Sequence, residues 1–169
     1  GIDETLKELT WRRYATGLFQ PLGLKIVDDQ IYVLGRDQIT RFHDLNMDGE
    51  ADFYENFNND VSISNHYREY CLNLEVDSKG NFYFIKASNP GEGKMPHDGC
   101  LLKVTQDGKN LEVLATGHHA RNGLCVGVND EITSSDNKGP WVPASRLNFI
   151  KPGRFYGHLP SAHREQSPS

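Results

Sequence analysis

The sequence predicts an all-β protein built from repeated units of four short antiparallel strands. Similar segments return at a constant spacing, since Ile31, Phe82 and Ile132 occupy matching positions about 50 residues apart. Each unit alternates apolar and polar residues, turns at an Asp/Asn/Gly cluster and enters a second alternating run, which is typical of a β-hairpin. No stretch has helical periodicity. Such units are typical of β-propeller blades, and the predicted fold class is a partial β-propeller of about three four-stranded blades.

The strands follow one another in the same order in each unit. Residues 1–9 form a charged lead-in, and residues 10–17 are predicted to be a strand. The remaining predictions are hairpins at 24–33, 74–84 and 125–133, third strands at 39–42, 101–104 and 147–150, and fourth strands at 52–57 and 111–116. The units are therefore about 10–60, 61–116 and 117–160, within a propeller segment 10–160 and before a polar tail 161–169. A β-sandwich is the alternative architecture, but it does not predict so regular a repeat.

Propellers close with four to eight blades, so the remaining blades, or other chains of the same protein, are expected partners. Because the chain begins with Gly1, we expect either a removed leader or a longer parent chain.

Composition excludes several classes of function. The net charge is −5 and the basic residues are scattered, which argues against a nucleic-acid partner. No apolar run approaches the roughly 20 residues of a membrane helix, so no membrane span is expected. The three cysteines, Cys71, Cys100 and Cys125, form no C-x-x-C or C-x-x-C-H, and we predict buried free thiols.

A candidate calcium loop runs from Asp44 to Asp52. Side-chain oxygens alternate along it, Gly49 allows a sharp turn, and the predicted ligands are Asp44, Asn46, Asp48, the carbonyl of Glu50, and Asp52. Glu55 completes the EF-hand pattern, but the β-branched and aromatic flanks predict strands, with Glu55 on the second of them. A solvated Asp/Asn/Gly turn is the alternative. Because loops of this kind need millimolar calcium, an extracellular or periplasmic location is expected.

Several stretches together resemble a known family. They are residues 17–24, 44–52, 117–124, 135–143 and 151–157. They resemble the six-bladed propellers of the soluble quinoprotein glucose and sorbosone dehydrogenases, most of all the large secreted membrane-bound-dehydrogenase-like proteins of planctomycetes and verrucomicrobia. The resemblance covers roughly residues 10 to 160 and implies a secreted oxidoreductase that oxidises a small sugar or alcohol. It also implies a haem partner, a cytochrome c domain.

The resemblance further implies pyrroloquinoline quinone and calcium as cofactors. The family's G-x-R-N-P-x-G-L stretch, which supplies an arginine and an asparagine to the quinone, is altered here, because its arginine position holds His119. Imidazole cannot replace a bidentate guanidinium. The implied cofactor contacts are His119 and Asn122, with Gly139 and Pro140 offering carbonyls to a second calcium.

The family also uses a histidine as proton acceptor. His66, just before the inner strand of the second unit, is the first candidate, and His97 is the second. Glu69 and Asp98 are carboxylates that could orient them. His66, His97, His118 and His119 are all expected to precede equivalent strands, so a shared site stands as an alternative to isolated polar loop residues.

Two other readings remain open. One is a non-enzymatic, calcium-stabilised propeller module that binds carbohydrate or another protein domain, with Trp141, Tyr67 and Tyr156 as stacking platforms. The other is a lactonase or hydrolase with a channel calcium held by residues such as Asn122 and Asp136.

Overall fold

The computed structural model describes residues 5, 7–66, 69–87, 95–119, 123–137 and 144–158. In these ranges the regular elements are β-strands arranged in three antiparallel sheets. Sheet 1 contains β1 (Gly23–Val27), β2 (Gln30–Leu34), β3 (Ile39–His43) and β4 (Phe53–Asn58). Sheet 2 contains β5 (Cys71–Val76), β6 (Phe82–Lys86), β7 (Leu101–Val104) and β8 (Leu111–Ala115). Sheet 3 contains β9 (Gly123–Val126), β10 (Ile132–Asp136) and β11 (Arg146–Ile150).

Every strand pairs with the strand that follows it within its sheet, as the repeated hairpins predict. The anchor residues of the repeat are equivalent in the structure, because Ile31, Phe82 and Ile132 each begin or nearly begin a second strand. The three sheets are open rather than closed into a ring, and the chain is a partial β-propeller. No helix long and apolar enough to cross a membrane occurs in the described ranges.

The predicted strand at residues 10–17 is wrong. This segment forms no strand and instead lies against the outer part of sheet 1. Ala51 donates its backbone N–H to the carbonyl of Tyr14, and the N–H of Thr16 donates to the hydroxyl of Tyr54. Trp11 is almost fully exposed. Arg13 also pairs with Glu50, and the ring of Tyr14 packs against Phe42. These are scattered contacts rather than a ladder of backbone hydrogen bonds, so the segment has no partner strand.

The core lies between the sheets. Tyr32 and Phe57 of sheet 1 pack against Phe82 of sheet 2, with ring centroids 4.7 to 5.3 Å apart. A second cluster joins sheets 2 and 3 through Ile85, Leu101, Leu124, Ile132 and Ile150. Inner strands come close enough that a Cβ on Gly23 of β1 would lie 2.8 Å from the Cβ of Leu74 in β5. Glycine is therefore required there.

The repeat provides an internal comparison of the faces of the sheets. Leu24, Leu74 and Leu124 lie at matching places in β1, β5 and β9, and their exposures are 60%, 3% and 7%. A preceding sheet covers the last two, whereas nothing among the described residues covers the first. A second set of matching positions, near the start of the last paired strands β3, β7 and β11, describes the opposite end of the row. Their exposures are 1% for Ile39, 0% for Leu101 and 81% for Leu147. The apolar face at each end of the three-sheet row is therefore open.

The cysteine prediction is confirmed for two residues and wrong for one. Cys71 and Cys100 are buried free thiols, and burial raises the pKa of each to about 12. Cys125 is a free thiol too, but it is exposed. It alternates with the buried Leu124 along β9 and so lies on the other face of that strand.

Candidate functional site

The connections between strands alternate between two ends of the sheets. We call the end that carries the β2–β3, β4–β5, β6–β7, β8–β9 and β10–β11 connections the loop end, and the opposite end the hairpin end. Contacts confirm the grouping, because Arg36 of the β2–β3 connection donates to the carbonyls of Ser64 and His66 in the β4–β5 connection. Likewise, the N–H of His118 donates to the carbonyl of Gly99.

The candidate histidines all lie at the loop end. His66 and His119 belong to connections that lead into the inner strands β5 and β9, whereas His97 precedes β7, which is a third strand. The expectation that His97 precedes an equivalent strand is therefore wrong, although its end of the sheet is the expected one. The other cofactor candidates, Asn122, Gly139 and Pro140, lie outside the described residues, as do the proposed platforms Trp141 and Tyr67.

The backbone around His66 is held by three hydrogen bonds. Its carbonyl accepts from Arg36 and from the N–H of Glu69, and its own N–H donates to Ser64 Oγ. The carboxylate of Glu69 accepts from the N–H and the hydroxyl of Ser64, at 2.7 and 2.6 Å. The hydroxyl of Ser64 therefore links the carboxylate of Glu69 to the backbone N–H of His66.

A buried ion triad lies beneath this loop. Lys86 Nζ lies 3.3 Å from Glu69 Oε2 and 3.2 Å from Asp98 Oδ1, and all three side chains are buried. Burial alone would raise the pKa of Glu69, but hydrogen bonds from Ser64 and the charge of Lys86 outweigh it and hold that pKa below its ordinary value. Glu69 and Asp98, the predicted orienting carboxylates, are thus both bound to one lysine.

His97 has a defined hydrogen bond at one ring nitrogen. Its Nδ1 accepts the backbone N–H of Ser62 at 3.0 Å. In the neutral imidazole the proton then sits on Nε2, which becomes a donor. In this tautomer the ring of His97 therefore has no nitrogen left to accept a second proton.

The third sheet contributes a cluster around Asp136. This buried carboxylate accepts the backbone N–H of His119 at 3.3 Å and the Nη2 of Arg146 at 3.4 Å. The rings of His119 and His158 lie 4.4 Å apart. Burial, and then the neighbouring His119, lower the pKa of His158 to about 4.

The side chain of Tyr156 is held in place by hydrogen bonds and by ring packing. Its hydroxyl donates to the carbonyl of Phe149 and accepts from the N–H of Lys151, and its ring packs 5.1 Å from that of His118. A ring held in this way is not an open stacking platform, so the structure does not favour that role for Tyr156.

Several residues of the loop end were not singled out from the sequence. They are Arg36, Ser64, Lys86, Arg146 and His158. The sequence held a signal for one of them, because Lys86 is a single charge in an otherwise apolar strand. Arg36 and His158 make contacts across long sequence separations, which no local pattern reveals. Ser64 and Arg146 contact residues within about ten positions, but no sequence motif marks those pairs.

The candidate calcium loop lies at the hairpin end, between β3 and β4. An ion bound there would lie at the opposite end of the sheets from the candidate histidines. Its carboxylates accept hydrogen bonds from the loop's own amides: Asp44 from Gly49 N–H, and Asp52 from Leu45 N–H, both at 2.8 Å. The amide Nδ2 of Asn46 lies 3.2 Å from Asp48 and 3.4 Å from Asp52. Glu55 lies on β4, as predicted, and pairs with Arg41 and His43.

The loop fits calcium in its chemistry. Hard oxygen donors surround the partly positive amide of Asn46, and Gly49 has a left-handed φ of 83°, which is consistent with a sharp turn there. As the side chains stand, no group of three or more His, Cys, Asp or Glu within the described ranges is arranged to hold a metal. Binding an ion therefore requires the carboxylates to turn away from the loop amides.

Comparison with known proteins identifies the fold. No family model matches the chain, and no curated protein matches it. Among solved structures it is similar to two glucose dehydrogenases, with 18% and 19% identity and TM-scores of 0.62 and 0.63. These matches cover 89% of this chain and 54% and 55% of the glucose dehydrogenase chains. A luciferin-regenerating enzyme is similar over 81% of this chain and 47% of its own, at 10% identity and a TM-score of 0.52.

The chain thus spans about half the length of the glucose dehydrogenases that it matches. At these identities the likeness concerns the fold. The three sheets with open ends, together with this coverage, make the chain a partial β-propeller of the type found in those dehydrogenases.

Proposed function

We propose that this chain is part of a dehydrogenase that oxidises a hydroxyl group of a sugar or small alcohol, with His66 as the proton acceptor. The observation that carries the proposal is the position of three histidines at the loop end: His66 and His119 in the connections that lead into the inner strands β5 and β9, and His97 in the β6–β7 connection. The shared fold with glucose dehydrogenases supports it as an analogy of fold.

His66 suits the role of base because its backbone is fixed by hydrogen bonds while the residue is only half buried. Histidine is the side chain that most often serves as a general base in enzymes, and its imidazole nitrogen can take the proton of a hydroxyl group. In the proposed step the imidazole of His66 accepts the proton of the substrate hydroxyl. Conversion of the alcohol to a carbonyl also requires an acceptor for the hydride on the same carbon, which the cofactor would supply. Arg36 and Ser64 hold the loop in place during this step.

Pyrroloquinoline quinone is the proposed cofactor, and it supplies the hydride acceptor when bound. On this chain, His119, Asn122, Gly139 and Pro140 are its proposed contacts. The described part of this set fits a ligand oxygen, because Nδ1 of His119 is buried and has no hydrogen-bond partner among the described residues. Gly139 and Pro140 would offer carbonyls to a second calcium.

We further propose that the hairpin-end loop binds a structural calcium through Asp44, Asn46, Asp48, the Glu50 carbonyl and Asp52. Its place opposite the histidines supports a role in stability rather than in catalysis. Millimolar calcium agrees with a periplasmic or extracellular location, and a cytochrome c domain is the proposed electron acceptor.

The test uses the full-length protein with pyrroloquinoline quinone, calcium and an artificial electron acceptor, and screens aldoses and small alcohols. His66→Ala should lower turnover by roughly 100-fold or more, the size expected when a general base is removed. His43→Ala is the matched control, since His43 lies on β3 at the hairpin end and should leave turnover unchanged.

His97→Ala distinguishes the two candidate bases, and we expect a smaller loss than for His66→Ala. Full activity of His66→Ala would reject His66 as the base. If the quinone-loaded parent oxidises no sugar or alcohol, the non-enzymatic binding module becomes the better reading.

A further inference from the structure

The cluster around Asp136 contains a guanidinium that is fixed on one side only. Arg146 Nη2 donates to the carbonyl of Tyr156 at 2.7 Å and to Asp136 at 3.4 Å. Asp136 is buried and also accepts the backbone N–H of His119. The plane of the guanidinium is therefore anchored to β10 and to the segment that follows β11.

The rest of the guanidinium remains available. Nε and Nη1 donate to no described residue, and 43% of the side chain of Arg146 is exposed. Gly157, at a φ of 90°, lies beside Nη1, and a Cβ there would approach that nitrogen to 3.2 Å. The absence of a side chain at Gly157 leaves this edge open to a ligand.

Two imidazoles accompany the guanidinium. The rings of His119 and His158 lie 4.4 Å apart, and Nδ1 of His119 is a buried nitrogen without a hydrogen-bond partner in the described part of the chain. Burial keeps His158 neutral, because it lowers the pKa of this residue to about 4. The cluster thus combines the permanent positive charge of Arg146 with the neutral ring of His158 and the unpartnered Nδ1 of His119, which is suited to hydrogen bonding.

We propose that Arg146, together with His119, forms a binding subsite for the carboxylate group of a small organic ligand. A planar guanidinium matches a planar carboxylate, and the resulting charge-assisted hydrogen bonds are among the stronger ones in proteins. A doubly charged phosphate suits the site less well, because there is a single guanidinium here and Asp136 stands behind it.

This inference deepens the proposed function, on which it rests for the placement of the ligand at the loop end. A carboxylate could belong to the cofactor, since pyrroloquinoline quinone carries three, or to a sugar acid related to the product of oxidation. Arg146 would also supply a guanidinium from the third sheet. The family has an arginine at the position that His119 occupies in this sequence.

Binding to the full-length protein tests the proposal without any need for turnover. Calorimetric titrations with pyrroloquinoline quinone and with gluconate represent the two sources of carboxylate, and glucitol is the uncharged control for gluconate. Arg146→Gln should weaken binding of the carboxylate ligand by about tenfold or more, as expected for loss of a charged hydrogen bond. Arg154→Gln, which removes an exposed charge eight residues away in the chain, is the matched control and should bind like the parent.

NMR of the histidine side chains gives the second readout. The carboxylate ligand should shift the ring resonances of His119 in the parent and not in Arg146→Gln. Arg146→Lys keeps the charge but loses the planar fork, so it should fall between parent and Arg146→Gln; it also serves if Arg146→Gln does not fold.

The outcomes separate this inference from the proposed function. Binding of the quinone alone assigns the subsite to the cofactor, and binding of gluconate alone assigns it to a sugar acid. Equal binding by the parent and Arg146→Gln, or binding of neither carboxylate, overturns the inference. His66→Ala should retain carboxylate binding even where turnover is lost, so failure of one proposal does not imply failure of the other.

Discussion

The ammonium group of Lys86 lies 3.3 Å from Oε2 of Glu69, and neither side chain is exposed to solvent. Asp98 completes the triad at 3.2 Å from the same ammonium group. One buried lysine at the end of β6 therefore ties together the connection that contains His66 and the connection that contains His97. Buried charges are costly unless they are paired, so the three side chains depend on one another.

Replacing Lys86 by methionine should destabilise the protein strongly. The substitution leaves Glu69 and Asp98 buried without their cation, and the loss of one partner of a buried ion pair costs about 3–5 kcal/mol. Chemical unfolding of the full-length protein measures the change. Lys103→Met is the control, because the Lys103–Glu112 pair on β7 and β8 is partly exposed and such pairs contribute about 0–1 kcal/mol. Equal effects of the two substitutions would contradict the role of the triad.

The sequence predicted the strands well because each one repeats. Ile31, Phe82 and Ile132 mark the same place in three hairpins, and a pattern seen three times is hard to mistake for an isolated run. Residues 10–17 had the composition of a strand but lack a partner strand, and pairing is a tertiary property that composition does not reveal. The prediction that Cys125 is buried was wrong for a related reason, because its exposure depends on which face of β9 another sheet covers.

The candidate site was predictable only in part. His66 and His119 could be placed because they precede strands of the repeat. The contacts that hold those loops could not be predicted. Arg36 of the β2–β3 connection donates to the carbonyl of His66, and Arg146 donates to Asp136 at the other end of the β10–β11 connection. Such contacts depend on how sheets and loops meet, which a local pattern does not encode.

Calcium should stabilise the full-length protein through the hairpin-end loop. Without an ion, Asp44, Asp48 and Asp52 repel one another, and a hard cation relieves this repulsion. We expect a higher melting temperature in calcium than in chelator, and Asp48→Ala should abolish that difference. Asp107→Ala, in the β7–β8 turn at the same end, is the matched control and should leave the calcium response intact. A parent protein that melts at the same temperature with and without chelator would rule out this site.

The free energy of unfolding of the full-length protein should fall as the pH drops from about 6.5 towards 4, partly because of His158. Its folded pKa is lowered to about 4, so in this window the unfolded chain binds a proton that the folded protein does not. The neutral ring therefore stabilises the fold above pH 6.5, and this contribution is lost as the pH falls. His158→Asn should show a weaker loss over the same window. The ring resonance of His158 in NMR gives a direct check, and a midpoint near 6.5 would contradict the prediction.

The open faces at the two ends of the row predict that residues 1–169 alone do not form a compact monomer. Leu24 is 60% exposed and Leu147 is 81% exposed, although their equivalents in the neighbouring sheets are buried. Full burial of a leucine stabilises a protein by about 1.5–3 kcal/mol, so each end favours association with another apolar face. Size-exclusion chromatography with light scattering should show oligomers or aggregates of the isolated chain.

Charged substitutions at equivalent positions separate this cause from general instability. The double variant Leu24→Glu and Leu147→Glu should reduce association of the isolated chain while keeping its β-sheet circular dichroism, because both residues lie on uncovered faces. Leu74→Glu and Leu101→Glu place the same charges at the buried equivalents and should unfold it, since an unpaired buried carboxylate is strongly unfavourable. A parent chain that is a compact monomer and melts cooperatively would contradict the prediction that these uncovered apolar faces drive association.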